Sequence, residues 1–467
     1  MAIRKNDIKT LQELRVYSFE DLQYILEVDK YKCNKIIKSL IDMNLLRKKI
    51  YSKDDIELEN LIDIDKYVGV KNIYSFKYVG IILVEQIYLF IYPKYINNIE
   101  NDVNNKYNKF MQIIEVIKKY NSKKQEQNII GDEDNINFNL LSFTIELIQN
   151  YYENGLYKNT MSIIEENGLG NILWEKTIDE QNAYFSNSTP IYLDFFTEKS
   201  ITDEEDIFRR LHRCILSRCC EKIEGILDIL KIDIINISSE YLIDFGSKDY
   251  LQYIINQEIN RQYITQNQYL LKMMLIYLNQ EDFNQNKDEI SFFGTNSFNL
   301  VWEDVCSTVM GNCLDMSIKQ LKLKPYKNLT EQSLLKDIII KPKFVEKNSN
   351  KQTYSKKTLI PDLIVLKENK LLIYDAKYYN IQFKNGNFIN NFGVNDISKQ
   401  YLYELAYKEF ANYNNLEIEQ NVFLVPTDDI EEKYIGDIKF DIFNSFNLKD
   451  IGIILKPCQN MFNEYLK

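Results

Sequence analysis

The sequence predicts a multidomain chain that joins α+β and α/β parts. A winged-helix-like, β-rich amino-terminal part leads into a helical middle, and a mixed sheet flanked by helices closes the chain. Three observations predict this. Helical and then β-type hydrophobic spacing fills the first hundred residues, and helical spacing dominates from Phe138 to Tyr277. From Ser291 onward, helix and strand patterns alternate. The 467 residues leave room for several cores, and 45% hydrophobic with 13% aromatic residues describes a folded chain.

The first element begins at Ser18, an N-cap followed three residues later by Asp21, with Phe19, Leu22, Ile25 and Leu26 as its apolar stripe. After Val28-Asp29 a second helix carries Ile36, Ile37, Leu40, Ile41 and Leu45. Helix, tight turn, basic helix and a trailing Lys/Arg cluster resemble a winged helix-turn-helix over 1–70. Lys35 and Lys38 on the second helix are the candidate DNA contacts, with a packing or protein-interaction domain as the alternative. Tyr74 to Ile96 predicts a hairpin around Glu85-Gln86, followed by a helix from Tyr107 to Tyr120 and a polar loop, Asn121 to Asp134, within 71–135. The middle domain, 136–290, reads as helices at Phe138–Tyr152, Asp203–Leu230 and Tyr250–Tyr277, with strands flanking Trp174. The polar stretch Asn279 to Asp288 marks the boundary before 291–467. There the pattern gives a helix from Phe298 to Gln320, a hairpin of Thr358–Leu366 and Leu371–Tyr378, a helix from Asp396 to Ala411 and a buried strand at Val422–Val425.

Composition excludes several kinds of chemistry. His212 is the sole histidine, so a His-ligated metal centre or a Ser-His-Asp triad lacks material. Seven cysteines at irregular spacing fit no zinc pattern and read as reduced thiols. Met1 to Lys9 lack a signal pattern, and the most apolar stretch, Val79 to Ile91, is too short for a membrane span. The expectation is a cytoplasmic protein without a membrane partner. The net charge of −11 argues against general coating of nucleic acid, yet two segments reverse the sign. Lys30 to Lys49 carries seven Lys/Arg against Asp42. Lys341 to Lys357 carries Lys341, Lys343, Lys347, Lys351, Lys356 and Lys357 against Glu346 alone.

The chemistry centres on LIPDLIVLKENKLLIYDAKYY. Side chains on a strand alternate faces, so Asp375 and Lys377 project together while Ala376 turns inward. A hairpin folding back at Lys367 to Lys370 brings Asp362 beside Asp375. Two carboxylates and a lysine suit phosphodiester hydrolysis with Mg²⁺, for which Mn²⁺ can substitute. Asp362 and Asp375 are the expected ligands, with the Ala376 carbonyl as a further donor. Lys377 would orient or activate water, as base or as electrostatic clamp. Glu303, on the preceding helix, is a fourth candidate as ligand or site organiser, with Asp304 as its competing neighbour. Gln400 and Lys399, near the start of the following helix, are candidates for the metal site or a DNA phosphate. Helix, hairpin, helix, strand is the core order of the PD-(D/E)XK nuclease fold.

With these motifs assembled, the last domain resembles the nuclease domain of the LlaJI-type restriction endonucleases, which are similar to McrC subunits. FKYVGIILVEQIYLFIYPKYI, YYENGLY at 151–157, GNILWEKTI at 170–178, RRLH at 209–212 and VWEDVC at 301–306 extend the resemblance over most of the chain. The resemblance implies a restriction subunit that cleaves double-stranded DNA in prokaryotic defence, working with a McrB-like AAA+ GTPase. It also implies that Phe76 to Tyr95 and the helical middle dock with that motor. The chain has no G-x-x-x-x-G-K-[ST] loop, so the nucleotide cycle must belong to a partner. A repair or recombination nuclease and an inactive DNA-binding adaptor are the alternatives.

Overall fold

The computed structural model describes residues 8–50, 61–63, 66, 72–84, 87–96, 103–130, 140–280, 290–347, 351–384, 387–389 and 392–467. The chain is mixed α/β and divides into two compact units. One is centred on Ile129–Phe292, and the other combines Arg4–Asn128 with Phe293–Lys467.

The second unit starts with β1 (Ile8–Gln12), β2 (Val16–Tyr17), α1 (Phe19–Leu26), α2 (Lys30–Asp42), β3 (Leu46–Ile50) and β4 (Asn72–Phe76). Helix α1 begins in a reciprocal capping box. The Asp21 amide donates to Ser18 Oγ at 3.0 Å, and the Ser18 amide donates to Asp21 Oδ2 at 2.8 Å. Helix α2 is capped by Asp29, whose side chain accepts from the Lys32 amide. It buries Cys33, Ile36, Ile37 and Leu40 and leaves Lys35 and Lys38 exposed. The antiparallel sheet β2-β4-β3 packs against the two helices.

Strands β5 (Val79–Val84) and β6 (Ile87–Tyr92) pair antiparallel, and β1 joins β6 in parallel. The Glu85-Gln86 turn between them lies outside the described residues. Most of β5 and β6 is buried, so the segment expected to meet a partner is mostly interior. Helix α3 (Val103–Ile130) runs straight through Asn121, where a loop was expected. Phe110, Ile113, Ile114 and Ile117 anchor it in the core, and the Lys/Gln/Glu-rich half that follows is made of good helix formers.

The other unit contains α4 (Leu140–Asn154), β7 (Thr160–Glu166), β8 (Asn171–Ile172), α5 (Trp174–Glu180), β9 (Ala183–Ser186), β10 (Thr189–Tyr192), β11 (Phe196–Thr202), α6 (Ile207–Lys222), α7 (Glu224–Ile229), α8 (Lys248–Arg261) and α9 (Thr265–Gln280). Trp174 opens a helix between two strands. Two quoted segments meet here: the Tyr157 amide donates to His212 Nδ1 at 3.1 Å, and Arg209 Nη1 donates to the Tyr157 carbonyl at 3.0 Å. His212 is wholly buried, and burial first, then the Arg209 charge, lower its pKa to about 4. It is a neutral structural histidine.

The chain then re-enters the larger unit through β12 (Ile290–Thr295) and α10 (Phe298–Met310). Helix α10 stops at Gly311, in a left-handed conformation with φ 76°, ten residues short of the expected end at Gln320. Next come β13 (Lys343–Val345), β14 (Gln352–Tyr354), β15 (Leu363–Lys367), β16 (Lys370–Ala376), β17 (Gln382–Lys384), β18 (Asn387–Ile389), α11 (Val394–Tyr413), β19 (Glu417–Thr427), β20 (Lys433–Ile438), β21 (Ile451–Pro457) and α12 (Cys458–Leu466). The main sheet has the order β15-β16-β19-β21-β20; β16, β19 and β21 are parallel neighbours, with antiparallel strands at both edges. Leu371 and Ile373 on one sheet face pack with Tyr403, Tyr407 and Phe410 of α11. All seven cysteines are free and buried. Among the described residues no helix is long and apolar enough to cross a membrane.

Candidate active site

The β15–β16 hairpin explains how residues thirteen positions apart become neighbours. Its register pairs Leu363 with Tyr374, so one step further along places Asp362 opposite Asp375. Directly opposed residues of an antiparallel pair share a face. The Ala376 amide closes the corner by donating to Asp362 Oδ2 at 2.9 Å. Asn312, just after α10, pins the same strand: its Nδ2 donates to the Asp362 carbonyl at 3.2 Å, and its Oδ1 accepts from the Ile364 amide at 3.1 Å.

Burial pushes the Asp362 carboxyl up to about 8, helped by the charges of Asp375 and Glu303 and by a hydrogen bond with Asp375, against the Ala376 amide. Two carboxyl groups this close hold a proton or a cation between them. A pH dependence follows. The unfolded Asp362 loses its proton near 3.8 and the folded one near 8, so between those values the folded chain holds the extra proton. Stability of the metal-free protein therefore falls as pH rises through that window. The gap in urea midpoint between wild type and Asp362→Asn, measured in chelator at pH 8, 6.5, 5 and 4, should shrink as pH falls and be smallest at pH 4. A gap between the two that stays constant with pH would contradict this.

Lys377 Nζ lies 2.7 Å from Asp375 Oδ2 and 3.1 Å from Asp396 Oδ1. Burial pulls its pKa down, but the charges of Asp375 and Asp396 and its hydrogen bonds to both outweigh that and hold it above the ordinary lysine range. Lys377 is thus an ammonium at neutral pH. Asp396, in the first turn of α11, also accepts from the Tyr379 hydroxyl at 3.2 Å. Sequence reading passed over Asp396 and Tyr379. The signal available was an acid in a first turn, on the helix face one turn before Gln400.

The remaining candidates fall as follows. Glu303 is brought close enough for its charge to act on Asp362, whereas Asp304 is engaged elsewhere, accepting from Lys123 Nζ at 3.0 Å and from the Tyr465 hydroxyl. Gln400, a candidate for the metal site or a DNA phosphate, is fully buried; its amide nitrogen and oxygen have no hydrogen-bond partner among the described residues. It shares a helix face with Asp396 and Tyr403. The charges of Asp375 and Asp362 act on Tyr403. Lys399 and the helix-turn-helix residues Lys35 and Lys38 are exposed and belong to no part of this cluster.

Behind Lys377 the chain is clamped to the amino-terminal sheet. The Tyr378 hydroxyl donates to buried Glu13, which also accepts from the Lys94 amide at 3.2 Å. Lys94 Nζ sits 4.5 Å over the Tyr378 ring, and Asn380 Nδ2 donates to the Lys94 carbonyl at 2.9 Å. The amino-terminal sheet thus holds the segment that carries the catalytic candidate.

Among the described residues, no three His, Cys, Asp or Glu side chains form a ready metal cage. Mg²⁺ needs none, because it keeps waters and takes one or two carboxylates together with substrate phosphate oxygens. The Asp362–Asp375 pair, all oxygen, with Asp362 able to give up its proton to a cation, fits that ion.

Fold and site together define a multidomain mixed α/β protein with paired carboxylates and a lysine at the end of a sheet. The chain belongs to the LlaJI restriction endonuclease family, whose profile matches residues 78–455. It is 27% identical over 404 residues to the type II restriction enzyme BsuMI component YdjA of Bacillus subtilis (strain 168), covering 84% of this chain and 81% of that one. Among solved structures it is similar to a chain from the refined half-complex of a tetradecameric assembly of Thermococcus gammatolerans McrB AAA+ hexamers with bound McrC. That match has 15% identity and a TM-score of 0.42, covering 98% of this chain and 99% of the other. A chain of the cryo-EM McrBC complex from the same organism matches with 15% identity and a TM-score of 0.27, covering 65% and 86%.

Proposed function

We propose that this chain is a metal-dependent DNA endonuclease of the PD-(D/E)XK kind. In this reading it is the restriction subunit of a system that cleaves foreign DNA with the help of an AAA+ GTPase. One observation carries the reading: two acids converge from neighbouring strands with an ammonium group 2.7 Å from one of them.

Asp362, Asp375 and the Ala376 carbonyl would hold Mg²⁺, with Glu303 as an organiser whose charge deepens the demand for a cation. When bound, the ion supplies Lewis acidity toward phosphate oxygens and acidifies the attacking water. Lys377, held protonated by Asp375 and Asp396, acts as an electrostatic clamp: it donates to the water or to the phosphate oxygens as negative charge develops. The protonated state favours this role over that of general base. Asp396 is a positioning residue. Asp396→Asn should lower cleavage about tenfold while DNA affinity stays within twofold, with Asp396→Glu restoring part of the rate. Full activity in Asp396→Asn would remove it from the site. The amide of Gln400, buried and without a hydrogen-bond partner among the described residues, suits a water or ligand of the filled site.

The GTPase partner rests on the likeness to McrC-type subunits and on the absence of a phosphate-binding loop in the sequence. Restriction is favoured over repair by membership of the family. The intact Asp, Asp and Lys set disfavours an inactive adaptor.

The decisive experiment is cleavage of methylated and unmethylated plasmid with Mg²⁺ or chelator, with and without the candidate motor and GTP. Cutting should require the metal and increase with the motor. Calorimetric titration with Mg²⁺ near pH 7 should release up to one proton per chain in wild type and none in Asp362→Asn, a readout independent of activity. Metal-independent cutting, or Mg²⁺ binding unaffected by Asp362→Asn, would refute the assignment.

A further inference from the structure

We infer that the β13–β14 hairpin is a DNA-binding ribbon that holds the phosphate backbone of the duplex next to the cleavage site; this rests on the nuclease reading above. The hairpin pairs Lys343 with Tyr354, Phe344 with Thr353 and Val345 with Gln352. All six strand residues are exposed. Lys343, Val345, Gln352 and Tyr354 share one face, and Phe344 and Thr353 the other. A two-stranded ribbon with both faces in water is marginal by itself, so burial within the chain does not explain its residues.

Charge identifies the occupant. The chain carries −11 overall, yet between 341 and 357 six lysines face a single glutamate. Among the described residues no ion pair ties Lys341, Lys343, Lys347, Lys356 or Lys357 to an acid. A local positive field on an acidic chain matches a polyanion, and a duplex strand presents a phosphate about every 3.4 Å. The DNA major groove admits a two-stranded ribbon, and Phe344, Val345 and Tyr354 offer apolar contact to sugars and thymine methyls.

Position ties the ribbon to the site. Its base is fastened where the Ser355 amide donates to the Pro342 carbonyl at 2.8 Å and Thr358 Oγ1 donates to the Ile340 carbonyl at 3.2 Å. From Thr358 the chain needs only four residues to reach Asp362, a span of at most about 14 Å. A duplex with its scissile phosphate at Asp362 and Asp375 would therefore pass the lysines within a few nucleotides of the cut.

The test is equilibrium binding of duplex DNA across a salt series in chelator. Wild type is compared with a variant carrying K341Q, K343Q, K347Q, K356Q and K357Q, and with a K35Q/K38Q variant. The ribbon variant should lower the slope of log affinity against log salt by about three to five and weaken low-salt binding at least about tenfold, since each phosphate contact adds about 0.9 to the slope. Its thermal midpoint should match wild type, because all five positions are exposed. Phe344→Ser with Tyr354→Ser should weaken binding without changing the slope. A ribbon variant whose slope stays within one of wild type overturns the inference, as does a slope change found only in K35Q/K38Q. If wild type cuts plasmid while the ribbon variant binds as wild type does, only the ribbon role falls. If wild type neither binds nor cuts duplex DNA, the nuclease reading falls with it.

Discussion

Lys377→Ala should remove DNA cleavage, by at least about 10²–10³-fold, while the thermal midpoint and duplex affinity stay close to wild type. The size follows from the site. Lys377 is the cation that touches both Asp375, the proposed metal ligand, and Asp396, the proposed positioning acid, and among the described residues no other lysine forms an ion pair with either of them. Asp375→Asn should lose as much, because it removes the charge of a proposed metal ligand and the larger of the two charges that keep Lys377 protonated. Lys377→Arg retains charge but replaces a compact ammonium with a planar fork, and should recover little. Single-turnover cleavage with saturating Mg²⁺ makes the comparison, and undiminished cutting by Lys377→Ala would mean that the chemistry lies elsewhere.

The largest stability effect should come from Trp302→Ala. Trp302 is wholly buried on α10, and its Nε1 donates to the Leu424 carbonyl at 3.1 Å, tying the helix to β19. The Lys377 amide donates to that same carbonyl at 2.9 Å, so one acceptor on the parallel strand aligns the helix and the segment that carries Lys377. Truncation leaves a cavity and costs about 3–5 kcal/mol, or roughly 6–20 °C in the midpoint of the unit that holds it. Trp302→Phe keeps most of the packing and should lose about 1–2 kcal/mol through the missing hydrogen bond. Circular dichroism melts decide it; a shift below 2 °C for Trp302→Ala would contradict the packing argument.

The hairpin that carries Asp362, Asp375 and Lys377 was legible because its causes are local. Period-2 alternation sets which side chains share a face, and a short polar turn sets the register. The capping box at Ser18 and Asp21 was legible for the same reason. The end of α10 is not legible in the sequence, since the apolar spacing beyond Gly311 continues into turns that keep the same burial without helical backbone. β20, β21 and α12 escaped notice because their apolar positions take their meaning from strands distant in sequence. The second half of α3 is not legible either, because it has helix-forming residues but lacks the apolar stripe by which helices are recognised.

The amino-acid order by itself determined the chemistry on offer: carboxylates and a lysine at alternating strand positions, one histidine, and no phosphate-binding loop. Tertiary structure alone decided how those groups are wired. Asp396 completes the Lys377 clamp from a helix that is remote along the chain. Gln400 is buried on the same helix face, and Glu13 and Lys94 brace the segment from more than 280 residues away. The physical reason is that alternation and capping act over a few residues, whereas burial and electrostatic partnership depend on which elements pack together, and that is settled only when the whole sheet closes.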